Sequence, residues 1–354
     1  MSLIIIEQIF FFLVILMPIV FVHELGHYYA AKKVGVKVEI FSIGFGKELF
    51  SWQDKSGTKW GIAPIPLGGY VKMQGDTNSS SVKTNNHKPV RGDLLYVNVL
   101  ARIFIFISGP LANFASGILI FSFIFFINGK QIVSNEIGEI IPNSSAERAN
   151  LLPGDIIKTV DKKVINNFNE LRYIILENPG RKLNFEIERN NKQFFLDVTP
   201  SSIYIKEKNI YIGQIGIKSL KSSYKKVGIS ESLLLGTNEC LRIIKESIKY
   251  LTVKFNIYNF GSPIQIAEFS SEIAKLGIIS FLYGTAYISI AIGFLNLLPI
   301  LPLDGGHILF GLIEYIRGKP VSIFYQNIIL KLGVSLLFGF MIVIFAKDIW
   351  LKLY

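Results

Sequence analysis

Three ionisable side chains fall within five positions of an otherwise apolar stretch, His23-Glu24-Leu25-Gly26-His27. If this stretch is helical, residues four apart share a face, so His23 and His27 can both present an imidazole nitrogen to one metal ion. Bonds of about 2.0–2.1 Å to a d¹⁰ zinc suit that pairing. Glu24 then lies beside the ligand face, placed to hold and deprotonate a water at the metal rather than to bind the metal. The plain alternative is a chance match in a buried helix. The setting argues against it, because ionisable groups beside hydrocarbon are costly unless paired or functional.

Catalytic zinc usually takes three protein ligands and leaves one position to water. Two of the four histidines remain. His87 sits among Ser79, Ser80, Ser81, Asn85 and Asn86 and reads as a surface residue, and His307 is possible but less compelling. Asp304 is the better candidate, in Asn296-Leu297-Leu298-Pro299-Ile300-Leu301-Pro302-Leu303-Asp304-Gly305-Gly306. It is the only acid between Glu272 and Glu314. The two prolines and the glycine pair are expected to break the helix there and turn the carboxylate inward.

The elements that must position these groups are read from where charge is missing. Half of the 354 residues are hydrophobic and 18% are charged. No Lys, Arg, Asp or Glu occurs from Ile103 to Gly129 or from Leu276 to Leu303, and shorter uncharged runs cover Gln8–Val22 and Leu332–Ala346. A bilayer core needs about 20 apolar residues in helical form, which predicts four spans, at about 4–31, 103–127, 277–298 and 328–348. The pattern excludes one large soluble globule. It also makes disorder, a disulfide scaffold (Cys240 is the only cysteine) and a nucleic-acid binder poor readings of the +11 net charge. The first span lacks a basic segment ahead of it and a small-residue cleavage site after it, so it reads as a retained helix.

Segment 32–102 holds 11 Lys/Arg against 5 acids, while no basic residue precedes the first span. Basic loops stay in the cytoplasm, which places the N-terminus outside, 32–102 inside and 128–277 outside. His23 and Asp304 then both fall at cytoplasmic ends of odd-numbered spans and can meet.

Together, His23-Glu24-x-x-His27, Asn296-x-x-Pro299 and Leu303-Asp304-Gly305 resemble the site-2 protease family of intramembrane zinc metalloproteases, most closely its bacterial RseP-type branch. Ile43-Gly44-Phe45-Gly46, Pro66-Leu67-Gly68-Gly69-Tyr70-Val71-Lys72-Met73 and Ser108-Gly109-Pro110-Leu111-Ala112-Asn113-Phe114 extend the likeness over nearly the whole chain. Two departures stand out. Well-known members carry two PDZ domains where this chain has room for one, and the second proline after Asn296 sits one place late.

The resemblance implies an α-helical polytopic protein of the bacterial inner membrane, with four transmembrane helices, a re-entrant β-hairpin and one extracytoplasmic α/β PDZ domain. Its expected segments are 1–31 (first helix), 32–102 (cytoplasmic loop, hairpin at about 60–75), 103–127 (second helix) and 128–200 (PDZ domain). They continue as 201–276 (membrane-proximal amphipathic segment), 277–306 (third helix with both motifs), 307–327 (cytoplasmic loop) and 328–354 (fourth helix). It also implies Zn²⁺ held by His23, His27 and Asp304, Glu24 as the catalytic base, and substrate contact by Asn296, Pro299, Gly68, Gly69 and Tyr70. The implied substrate is a single-span membrane protein already trimmed outside, such as an anti-sigma factor or a signal-peptide remnant.

Residues 60–75 are apolar but rich in Pro and Gly, and Gly68-Gly69 reads as a turn between two short strands. An ordinary surface hairpin is one reading. A re-entrant hairpin that pairs with substrate as an added strand is the other, supported by the resemblance. In 132–200, Ala146-x-x-Ala149-x-Leu151-x-Pro153-Gly154-Asp155-x-Ile157 resembles a protease-associated PDZ domain, whose groove either takes a peptide ligand or serves only as a steric filter. Residues 222–260 are amphipathic (Leu233, Leu234, Leu241, Ile244, Ile248, Leu251), as expected for helices on the membrane surface or packed on the PDZ domain. Two rival functions are a catalytically inactive PDZ-containing membrane scaffold and a metal transporter. The intact motif residues speak against the first, and the scarcity of polar residues along the spans against the second.

Overall fold

A computed structural model describes residues 2–75, 90–165, 167–205, 210–220, 222–253 and 260–353. His87 and its polar neighbours lie outside the described residues, as do 254–259 of the amphipathic stretch. The chain divides into two compact units, 1–125 with 229–354, and 126–228.

The first unit begins with α1 (Ser2–Lys33), followed by strands β1 (Val38–Phe45), β2 (Phe50–Gln53), β3 (Lys59–Ile62) and β4 (Ile65–Met73), and then α2 (Val99–Asn128), whose last residues pass into the second unit. The second unit holds β5 (Lys130–Val133), β6 (Ile137–Ile140), α3 (Ser145–Arg148), β7 (Ile156–Val160), β8 (Lys163–Val164), α4 (Phe168–Glu177), β9 (Leu183–Arg189), β10 (Lys192–Val198), β11 (Ser201–Ile205), β12 (Ile210–Gln214), β13 (Ile217–Ser219) and β14 (Ser222–Lys225). The chain then returns to the first unit with α5 (Ile229–Thr252), α6 (Pro263–Lys275), α7 (Ile278–Asn296), α8 (Asp304–Arg317) and α9 (Ile323–Leu353).

Among the described residues, four helices are long and apolar enough to cross a membrane, at Leu3–Lys33, Val99–Asn128, Ile278–Asn296 and Ile323–Trp350. They coincide with the four charge-poor stretches. Apolar clusters join the first three of them to α5 and α6. Ile15 and Ile19 of α1 pack with Ile273 of α6 and Ile288 of α7. Phe121 and Ile124 of α2 pack with Cys240 and Ile243 of α5 and with Ala286 and Ile290 of α7. The buried side of amphipathic α5 thus faces membrane-type helices, while Leu233, Leu234 and Ile248 stay exposed.

Between α1 and α2 lies a four-stranded sheet of order β2-β3-β1-β4. Residues 60–75 do not form the expected self-paired hairpin. β3 pairs parallel to β1 (Ile43↔Ile62), while β4 pairs antiparallel to its other side (Ser42↔Tyr70, Ile43↔Gly69). Gly68 and Gly69 therefore lie inside β4 rather than in a turn. The reason is local. Pro64 and Pro66 lack the N–H a hairpin ladder needs, and Gly44, at φ +89°, leaves room for the carbonyls of Ala63 and Ile65 as the chain crosses beside it. The sheet is anchored to α1 through Tyr28, Ala31, Phe41 and Met73.

Two segment expectations also change. The expected amphipathic segment starts instead with strands β11–β14 of the second unit, β13 pairing with β6 and β14 with β5, and its first helix begins at Ile229. The expected loop at 307–327 is helical up to Arg317, as part of α8. The second unit has its own core, built on Ile137, Leu151, Ile157, Leu171, Phe185 and Ile187.

Candidate metal centre

His23, Glu24 and His27 occupy the last third of α1, one turn of helix carrying both imidazoles on the same face. Their ring centroids are 4.8 Å apart and their Nε2 atoms 3.2 Å apart. Both residues are buried. Asp304 opens α8 after the connection 297–303 turns the chain back from α7. Its Oδ2 lies 3.1 Å from His23 Nε2 and 3.4 Å from His27 Nε2.

The break in the helix comes from 297–303, as its two prolines suggest, but the glycine pair has a different task. Gly305 and Gly306 are helical. A Cβ on Gly305 would collide with the carbonyls of Leu297 and Leu298, and one on Gly306 with the backbone of Leu301. The pair lets the first turn of α8 press against the connection, which is what carries the Asp304 carboxylate to α1.

The donor set fits a zinc ion. Ligand atoms of a tetrahedral site with bonds of about 2.0–2.2 Å stand roughly 3.3–3.5 Å apart, and the three separations here are 3.1–3.4 Å. His27 Nδ1 lies 2.9 Å from the carbonyl oxygen of Ile105, so Nδ1 carries the proton and Nε2 keeps its lone pair. Asp304 Oδ2 is a buried atom without a hydrogen-bond partner among the described residues. Converging lone pairs and a carboxylate repel one another unless a cation sits among them. Among the described residues, His23, His27 and Asp304 form the one group of His, Cys or acidic side chains arranged to hold a metal.

A cavity of about 500 Å³ opens on this group, lined by Glu24 as well as the three donors. β4 contributes Gly68, Gly69 and Tyr70, and Asn296 faces the cavity from the end of α7. A Cβ on Gly69 would press on Glu24 Cγ and the Ser42 carbonyl, so β4 reaches α1 only because it has none there. Tyr70 stacks on Phe45 with ring centroids 6.3 Å apart. Pro299 is exposed and does not line the cavity; Pro302 and Leu303 take that place.

Other contributors were not assigned these roles from the sequence. His307, one turn beyond Asp304, lines the cavity and stacks on Phe106 at 4.6 Å without joining the metal donors. Gly26 and Gly109 set the approach of α1 and α2: a Cβ on Gly26 would strike the Ser108 carbonyl, and one on Gly109 would strike both imidazoles. Asn113, fully buried on the same face one turn later, brings its amide 3.3 Å from His23 Nδ1. The available signal was a small or polar residue recurring every four positions within an uncharged span.

The sheet is tied to the end of α1 by Asp54. Its carboxylate accepts hydrogen bonds from Ser56 Oγ (2.6 Å), Thr58 N (3.0 Å), Tyr28 Oη (3.0 Å) and Trp60 Nε1 (3.2 Å). These donors, the Ser56 hydroxyl first, hold the Asp54 carboxyl well below the usual carboxylate range.

Comparison with known proteins agrees with this chemistry. A family model, Peptidase family M50, matches residues 11–340. Relatives assigned as zinc metalloproteases occur in Rickettsia conorii (36% identical over 349 residues, 96% of this chain and 97% of the relative) and Rhizobium meliloti (34% over 352 residues, 95% and 94%). The chain is also similar to Metalloprotease MmpA of Caulobacter vibrioides, 31% identical over 366 residues that cover 93% of this chain and 92% of that one.

Proposed function

This chain belongs to peptidase family M50, the site-2 proteases, and is a multi-pass zinc metalloendopeptidase; from that premise we propose that His23, His27 and Asp304 hold the zinc and that Glu24 transfers the protons. The observation that carries this reading is the convergence of two imidazole Nε2 atoms and the Asp304 Oδ2 within 3.4 Å. Zinc, when bound, supplies Lewis acidity that lowers the pKa of water at its open position to about 7. Glu24, facing the same cavity, accepts a proton from the attacking water as it adds to the peptide carbonyl. It then returns that proton to the departing amine. Asn296 donates its amide to the substrate backbone at the mouth of the cavity, where peptide orientation is set.

The substrate of this reading is a single-span membrane protein, trimmed outside and cut within or near its span, such as an anti-sigma factor or signal-peptide remnant. A membrane helix keeps its scissile carbonyl in internal hydrogen bonds, so something must compete for them. β4 is suited to do so: it is an edge strand, hydrogen-bonded to β1, and it runs along the cavity through Gly68, Gly69 and Tyr70. A substrate segment added to that edge is extended and open to attack. In this account the sheet dips toward the membrane from the cytoplasm. The N-terminus and residues 126–228 lie outside, and the membrane is the bacterial inner membrane, in line with the basic 32–102 segment.

The outer unit reads as a single PDZ domain. A cavity of about 500 Å³ runs between α4 and β12–β13, with Phe168, Ile175 and Ile217 beside Arg172 and Lys218, which suits an apolar peptide end. The scaffold alternative loses its ground once the chain is a metalloendopeptidase.

The test is cleavage of a single-span substrate by purified protein in lipid vesicles. Cleavage within the span by wild-type protein, with products absent when Asn296→Ala or β4 is altered by Gly69→Val, is the expected result. Cleavage only in soluble segments far from the span would overturn the intramembrane reading, and full activity of Gly69→Val would remove β4 from it.

A further inference from the structure

We propose that Asn113 is a positioning residue for His23: its side-chain carbonyl oxygen accepts the His23 Nδ1–H and so fixes the ring with Nε2 turned to the metal. This rests on the reading of His23 as a zinc ligand. A neutral imidazole has one N–H and one lone pair. With Nε2 committed to the metal, the proton of each ring sits on Nδ1 and needs an acceptor. His27 Nδ1 has the Ile105 carbonyl at 2.9 Å. His23 Nδ1 has the side-chain amide of Asn113 beside it, with Nδ2 at 3.3 Å.

Only the oxygen of that amide can accept, and Asn113 Oδ1 is a buried atom without a hydrogen-bond partner among the described residues. A half-turn of the amide about χ2 gives it the ring N–H. The residue itself is held firmly. Its backbone carbonyl accepts hydrogen bonds from Ser116 Oγ (2.9 Å) and, across to α7, from Ser289 Oγ (3.1 Å). α7 closes in at Gly293, where a Cβ would stand 3.1 Å from the Asn113 Cβ. Asn113 therefore relates the ligand helix α1 to both α2 and α7, and a partner of this kind orients the ring and strengthens the ligand.

The test is zinc affinity of the purified full-length protein, read by competition with a chromophoric chelator, with the unfolding temperature of each metal-stripped protein as the control for folding. Asn113→Leu, close in size but unable to accept, is expected to bind zinc about 10–100-fold more weakly than wild type. Asn113→Asp, which keeps an acceptor, is expected to recover most of that loss. Should the leucine variant fail to fold, Asn113→Ala carries the same comparison. Wild-type affinity in Asn113→Leu or Asn113→Ala, or an equal loss in Asn113→Asp, overturns the proposal while leaving the metal site standing. Zinc binding that survives His23→Ala overturns both.

Discussion

Two buried carboxylates, one in each unit, are handled in opposite ways. In the second unit, Asp155 is fully buried, yet both of its oxygens are taken by Arg189, at 2.6 and 2.7 Å. Lys158–Glu188 and Lys218–Glu139 are likewise paired. In the other unit, Asp304 and two imidazoles meet among apolar helices with no donor between them. A buried carboxylate that is satisfied by its neighbours holds a fold together; one that faces other acceptors is waiting for a cation. Burial alone does not separate the two cases. The sign of the partners does.

That contrast can be broken at its strongest point. His27→Ala should lose the zinc and all measurable cleavage, as read by metal analysis of the purified protein and a substrate assay, because two donors do not make a catalytic zinc site. Retention of a full equivalent of zinc would dissolve the distinction between the units. Next in size, Asp155→Asn should destabilise the second unit by about 3 kcal/mol, since removing one partner strands the other. Limited proteolysis between 126 and 228 would report the loss, with zinc content unchanged. A fall in zinc content there would show that the two kinds of carboxylate are not independent.

The smallest effect belongs to Asp54, a satisfied carboxylate within the catalytic unit. Its folded pKa lies below the unfolded value of about 3.9. The stability it contributes is therefore present above about pH 4 and is lost as pH falls further, through the folded pKa. Unfolding temperatures of wild type and Asp54→Asn should differ at pH 7 and converge toward pH 3. A constant difference across that range would assign the effect to shape rather than charge.

What could be read from the sequence follows the range of the interactions. His23, Glu24 and His27 were legible because a helix converts a spacing of four into a shared face. The four spans were legible because hydrocarbon excludes charge over a whole run of residues. Asp304 was legible from its isolation, and Tyr70 and Gly69 from a resemblance, since nothing in their composition marks a cavity wall. The pairing of β3 and β4 on opposite sides of β1 was not, because a Gly-Gly step inside a strand has the same composition as a turn and only the tertiary approach to Glu24 distinguishes them. Pro299 and Pro302 could not be ranked by sequence for the same reason: both break a helix, but only the folded connection brings Pro302 to the cavity.

The central claim, that three side chains hold zinc while Glu24 moves the protons, is tested most directly by measuring zinc content and cleavage together in purified Glu24→Gln. The account predicts about one zinc per chain, as in wild type, with cleavage slowed by about 10²–10⁴-fold. Cleavage at the wild-type rate, or loss of the zinc along with the activity, would contradict it.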